Sequence, residues 1–229
     1  VCYYLLSLVL YEKIKYMQIF ISIFEFIFHI DVHLGEIITQ YGTLSYIILF
    51  VIIFVETGFV VVPFLPGDSL LFAAGAFAAI GSFNIVVLSL LLWGAAFLGD
   101  TVNYWIGYYF GQKLIDNPKV PINQVHLDKT HKFYAKHGGK TIFLARFIPI
   151  VRTFAPFVAG VGKMDYKKFV HYNISGGFAW VFGFTCLGYF FGNIPSVKEN
   201  FSLVIMAIII LSIFPIVIEF IKTKFKKNK

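Results

Sequence analysis

Two arginines stand in a run that otherwise reads as membrane interior, Phe143-Leu-Ala-Arg146-Phe-Ile-Pro149-Ile-Val-Arg152-Thr-Phe-Ala-Pro156-Phe-Val-Ala-Gly160. An arginine at bilayer depth costs at least about 2.5–3.5 kcal/mol on insertion scales, so each needs a partner. A guanidinium holds two oxygens of a phosphate at once and stays charged, which makes Arg146 and Arg152 candidate phosphate ligands. An earlier apolar stretch supplies two acids, Glu56 and Asp68. If the two stretches meet in the membrane, opposite charges neutralise each other there. Burial and a neighbouring arginine act on a carboxyl in opposite senses, so cargo arriving between them can change who holds the proton. Glu56 and Asp68 are therefore candidate proton carriers or gates. The plainer alternative is four charges that form ion pairs and hold the two stretches together. The adjacent prolines and glycines weigh against it, because a merely structural pair has no need of unwound backbone.

Backbone breakers accompany these charges: Pro63, Pro66 and Gly67 in the first stretch, Pro149, Pro156 and Gly160 in the second. Broken backbone is tolerated in lipid only where protein or a water-filled cavity covers it, so both stretches are expected to be re-entrant and to line a polar space. Gly67-Asp68-Ser69 after Pro66 suits the start of a half-helix, whose N-terminal dipole would favour an anion. Asp100, with Asn103 and Tyr104 close along the same helix, is a secondary candidate for which helix packing is at least as good an account. The six histidines show no metal-ligand spacing, and Cys2 and Cys186 lie in apolar segments without a motif. No metal, cofactor or disulfide is expected. Trp93, Trp105 and Trp180 carry no further signal. With no His–Asp pairing or nucleophile elbow at depth, an enzyme is not expected either.

The elements that must position these residues belong to a membrane. Of 229 residues 59% are hydrophobic and 14% charged, with mean hydropathy +0.80, whereas soluble domains carry about 25% charged residues. The net charge of +7 comes from lysines gathered in Lys113–Lys140, Lys163–Lys168 and the tail Lys222–Lys229. Such clusters report topology and attraction to anionic lipid rather than nucleic-acid binding. Residues 17–220 read as a single membrane domain and 221–229 as a basic cytoplasmic tail. Residues 1–16 are a doubtful extension: Lys13 and Lys15 follow the apolar run instead of preceding it, unlike a signal peptide, and Met17 is the alternative start.

Along the chain, Tyr16–Ile30 reads as an N-terminal interfacial helix and Asp31–Gly42 as a polar connection. Leu44–Ile80 is the first broken stretch and Thr141–Gly162 the second; Ile85–Phe110, Phe169–Phe191 and Phe201–Phe220 are long enough to span. A repeat underlies this order. Gly107-Tyr-Tyr-Phe-Gly111 returns 81 residues later as Gly188-Tyr-Phe-Phe-Gly192, Gly81 falls on Gly162, and Asn84 on Asp165. With four more residues of shift, Ala74-Gly75 falls on Ala159-Gly160. The alternative is a chance match in sequence rich in Gly and Phe. Placing the lysine clusters inside puts both ends of Thr141–Gly162 on one face and both ends of Leu44–Ile80 on the other. The expected fold is thus all-α: an inverted repeat with two opposed re-entrant hairpins and about three full spans. Two full spans over Leu44–Ile80 would give the same topology.

These residues also resemble the DedA family, also called the SNARE-associated or VTT-domain family. Glu56 with Pro63-Phe-Leu-Pro66-Gly67-Asp68 and Ala74-Gly75 looks like its first motif. Gly99-Asp100 with Tyr104-Trp105-Ile-Gly107 and Gly111 resembles its central helix, and Phe143–Gly160 its second motif. The resemblance covers roughly Gly35 to Gly192. It implies a multi-pass bacterial inner-membrane protein with facing hairpins, active in lipid translocation and envelope homeostasis, whose functional charges map onto Glu56, Asp68, Arg146 and Arg152. Relatives include carriers of undecaprenyl phosphate, others implicated in phospholipid flipping or proton-dependent tolerance of alkali and cationic drugs, and eukaryotic scramblases. The leading expectation is a transporter, proton-coupled or not, that moves an anionic phosphate-headed lipid, undecaprenyl phosphate first among them. A proton-coupled exporter of small cations or drugs and a phospholipid flippase or scramblase are the alternatives. Membrane lipids and protons are the expected partners, and self-association stays open.

Overall fold

The computed structural model describes residues 30–59, 67–115 and 138–200, with Leu203, Val204 and Ala207. Among these residues all regular structure is helical: α1 (Ile30–Tyr41), a 3-10 turn (Gly42–Leu44), α2 (Ser45–Gly58), α3 (Gly67–Ala79), α4 (Ile85–Ile115), α5 (Lys140–Ala145), α6 (Pro149–Val161), α7 (Tyr166–Gly192) and α8 (Pro195–Glu199). The extension over 1–16, the interfacial helix up to its last residue, Pro63, Pro66, most of the lysine-rich loop, all but three residues of the Phe201–Phe220 span and the basic tail lie outside the described residues.

Among the described residues three helical runs are long and apolar enough to cross a membrane, Val32–Gly58, Ile85–Gly111 and Tyr166–Gly192, each of 27 residues. At about 1.5 Å per residue such a run exceeds a hydrocarbon core of about 30 Å. The second and third match the expected spans, with a few residues added. The first does not: Asp31–Gly42 is helical rather than a connection. Leu34 and Ile38, four residues apart, both join the core, a Cβ on Gly35 would stand 3.5 Å from the Phe77 ring, and Glu36 and Gln40 stay exposed. The polar residues of this segment fit an amphipathic helix as well as a loop, and the i, i+4 spacing decides between them. Gly42, at φ +52°, interrupts the run and separates α1 from α2.

The short helices α3 and α6 have 13 residues each. Leu70 through Ala76 of α3 are all buried, the mark of a helix enclosed on every side. Pro149 opens α6 in its first turn, where a missing N–H costs nothing. Pro156 lies inside α6 without ending it, so of the two prolines expected to break this stretch only Pro149 marks a break. The carbonyl of Arg152, four residues before Pro156, consequently lacks its usual helical donor.

Packing is reciprocal. α3 lies along α7 and α6 along α4, while α2 rests on α4 and α5 on α7. Glycines set the crossings. Gly75 meets the backbone of Thr185, and Gly188 that of Phe72; correspondingly Gly160 meets the backbone of Tyr104, and Gly107 that of Phe157. Gly192 against Ala76 matches Gly111 against Val161. Long-helix positions correspond at 81 residues (107 and 188) and short-helix positions at 85 (75 and 160).

Both short helices end in the same cap. Ser82 N–H donates to Phe77 O at 3.0 Å with Gly81 at φ +90°, and Met164 N–H donates to Ala159 O at 3.0 Å with Lys163 at φ +47°. Gly81 therefore corresponds to Lys163 and not to Gly162. Asn84 and Asp165 do correspond: Asn84 Oδ1 accepts from the N–H groups of Val86 and Val87, and Asp165 Oδ1 from that of Lys168, each in the first turn of the next helix.

Candidate functional site

Among the described residues four ionisable side chains are buried where these elements converge, and a fifth, Asp68, is partly buried beside them. Glu56 comes from the last turn of α2, Asp68 from the first turn of α3, Asp100 from α4, Arg146 from the turn after α5, and Arg152 from the first turn of α6. Asp68 retains 13% exposure and the other four no more than 4%.

They form two sets. Arg152 bridges both acids of the first broken stretch, Nη2 donating to Glu56 Oε1 and Nη1 to Asp68 Oδ1 at 2.7 Å. Arg146 does not meet those acids; its Nη2 donates to Asp100 Oδ2 and to Asn173 Oδ1. Asn173 is oriented by its own amide, which donates to Phe97 O at 3.1 Å. Asp100, secondary in the sequence, is thus the counter-ion of Arg146.

Glycines make room for both sets. A Cβ on Gly67 would collide with the Glu56 carboxylate, and one on Gly99 with Thr57 Oγ1. On α7, a Cβ at Gly176 would stand 3.2 Å from Arg146 Cδ and one at Gly177 3.4 Å from its Cζ. Asn103 splices the site from behind: its amide donates to Thr57 O at 3.1 Å and to Thr153 O at 2.8 Å, the neighbours of Glu56 and Arg152. Trp180 donates Nε1–H to Asp68 Oδ1 at 2.8 Å and presents its ring 4.6 Å from Arg152 Cζ and 5.9 Å from Arg146 Cζ.

Sequence reasoning missed Trp180 and Asn173, and took Asn103 only as a helix neighbour of Asp100. One available signal was the doublet Gly176-Gly177 inside a span, since paired small residues mark a close approach. Another was scarcity: Arg146 and Arg152 are the chain's only arginines, and every other basic residue is lysine or histidine.

Three carboxyls face two guanidiniums in this interior. Fully ionised, the set would hold one uncompensated negative charge, a costly state away from water. Glu56 Oε2, Asp100 Oδ1, Asn103 Oδ1, Arg146 Nε and Nη1, and Arg152 Nε have no hydrogen-bond partner among the described residues. Such buried groups cost about 1–3 kcal/mol each, so the site has hydrogen-bonding capacity beyond what its own side chains use. Among the described residues no three His, Cys, Asp or Glu side chains gather as a metal-ligand set.

Apolar helices of spanning length around a charged interior define a polytopic membrane protein. The sequence pattern of the VTT domain matches residues 65–190, and the chain belongs to the VTT-domain, or DedA, family. It is 56% identical to protein DedA of Escherichia coli (strain K12) over 211 residues, 91% of this chain and 96% of that one. It is 43% identical to an uncharacterised membrane protein of Mycobacterium leprae over 170 residues, 73% and 76% of the two chains. Inner membrane protein YqjA of Escherichia coli (strain K12) is 36% identical over 151 residues, 66% and 69%. No solved structure matches.

Proposed function

We propose that this protein carries an anionic, phosphate-headed lipid between the leaflets of the bacterial inner membrane, with undecaprenyl phosphate as the leading candidate. The observation that carries the reading is Arg152, a buried guanidinium whose two terminal nitrogens hold carboxylates from two different helices. A phosphate presents the same pair of oxygens to the same fork, so headgroup and carboxylates compete for one cation. On loading, Glu56 and Asp68 lose their counter-ion and take up protons, which couples lipid movement to proton movement. Arg146, with two nitrogens unused, supplies a second contact.

In this reading α3 and α6, each about 20 Å long, are the inner limbs of re-entrant hairpins entering from opposite faces. Their reciprocal seating on α7 and α4 supports an inverted repeat. The lysine-rich tail then lies in the cytoplasm. The name of the relative YqjA supports the inner membrane as the location. The activity is transport without covalent chemistry, and a homo-oligomer is compatible with it.

The test is surface-exposed undecaprenyl phosphate, measured with a headgroup-binding probe in cells lacking and then regaining the protein. Accumulation on loss, reversed by the native chain and not by Arg152→Ala, supports the reading. Unimpaired flipping by both Arg146→Ala and Arg152→Ala at normal protein levels refutes the arginine assignment. No accumulation, in cells without paralogues, moves the substrate to a phospholipid.

The carboxyl excess favours a second reading, a proton-coupled exporter of small cations. Substituting Glu56 or Asp68 would then abolish cation movement and leave lipid distribution unchanged.

A further inference from the structure

Trp180 is completely buried and reaches three of the charged residues, Asp68, Arg152 and Arg146. Its Nε1–H and Arg152 Nη1 share one acceptor, Asp68 Oδ1, at 2.8 and 2.7 Å. Its ring also faces both guanidiniums. The position 81 residues earlier on α4 is Gly99, closed over by Thr57 of α2, so the corresponding position of the other long helix carries no indole.

We infer that Trp180 is a positioning residue that takes over Asp68 when Arg152 releases it to an anion. The inference rests on the reading of Arg152 as the phosphate ligand. Before loading, Asp68 Oδ1 has two donors. After loading it keeps the indole N–H, which holds the displaced carboxyl against α7. The ring face holds Arg152 by a contact that the exchange of oxygens leaves intact. Because Asp68 is the least buried of the five charged residues, it is the carboxyl best placed to move.

The test uses the purified full-length chain in detergent, with farnesyl monophosphate as probe and farnesol as the uncharged control. Replacing Trp93 and Trp105 by Phe leaves Trp180 as the only tryptophan. Farnesyl phosphate, and not farnesol, is expected to change its emission, and Arg152→Gln to abolish the change. Trp180→Phe, which keeps a ring and loses the N–H, is expected to weaken binding about tenfold. In an Asp68→Ala background the same substitution should cost nothing further, which separates positioning from packing. Native affinity in Trp180→Phe, or an equal loss with and without Asp68, overturns the role of Trp180 and leaves Arg152 as the ligand. If Trp180→Phe does not fold, an emission that farnesyl phosphate leaves unchanged overturns it instead. No binding of farnesyl phosphate by the native chain overturns both.

Discussion

Gly160 of α6 lies directly against the backbone of Tyr104 in α4, so close that a single methyl group would strike the main chain. Gly160→Ala therefore has to push two helices apart, at about 1–3 kcal/mol. Gly81 is the control. Nothing stands within 4 Å of its would-be Cβ, and only its φ of +90° favours glycine. Gly81→Ala should cost about 1–2 kcal/mol through backbone strain alone and leave transport intact, whereas Gly160→Ala should lose both stability and transport. Thermal unfolding in detergent, alongside a flipping assay, checks the pair.

Arg146 and Asp100 should behave as one unit. Removing either leaves a buried charge without its counter-ion, a loss of about 3–5 kcal/mol. Arg146→Gln and Asp100→Asn are each expected to lower the unfolding temperature strongly, and the double variant to recover most of that loss. Additive effects in the double-mutant cycle would contradict the pairing.

Arg152→Lys should fail although it keeps the charge. A single ammonium does not reproduce the planar fork that reaches Glu56 and Asp68 from two nitrogens. Transport is expected to fall to the level of Arg152→Ala. Native-like transport by the lysine variant would mean that charge alone suffices.

Gly67→Ala separates function from folding. The added methyl meets a side chain, the Glu56 carboxylate, rather than backbone. Glu56 can turn aside, which pulls it from Arg152 and leaves the helices in place. Transport should drop while the unfolding temperature falls less than in Gly160→Ala.

Asn103→Leu removes two hydrogen bonds and leaves the carbonyls of Thr57 and Thr153 without that donor. The expected loss is about 1–3 kcal/mol. Transport should fall with it, because those carbonyls flank Glu56 and Arg152.

Much of this arrangement was legible in the sequence because burial in lipid is severe. Arginines amid apolar residues must find counter-charges, and glycines at fixed intervals let backbones approach; both proved to be sites of close contact. What stayed hidden depends on how each helix is rotated about its axis. Asp100 could be placed at mid-span, but its facing Arg146 rather than lipid follows from how α4 packs beside α5 and α7. Trp180 was hidden for the same reason, since a tryptophan in a span reads equally as belt or filler. The cap match slipped by one residue because Lys163 adopts the left-handed conformation that Gly81 takes, and lysine gives no sign of it. The helix over Ile30–Tyr41 was obscured by polar residues that turn out to occupy its exposed face.

The reciprocal seating of the short helices bears on how the chain is made. α3 emerges from the ribosome about a hundred residues ahead of α7, on which it rests, and α4 presents its glycines well before α6 exists to fill them. The first unit must therefore be held unfinished, its crossings open, until nearly the whole chain has entered the bilayer. Neither unit carries its own mate. Two fragments severed between Ile115 and Gly138 would each be an orphan when synthesised alone, yet together in one cell they hold every surface needed to find each other.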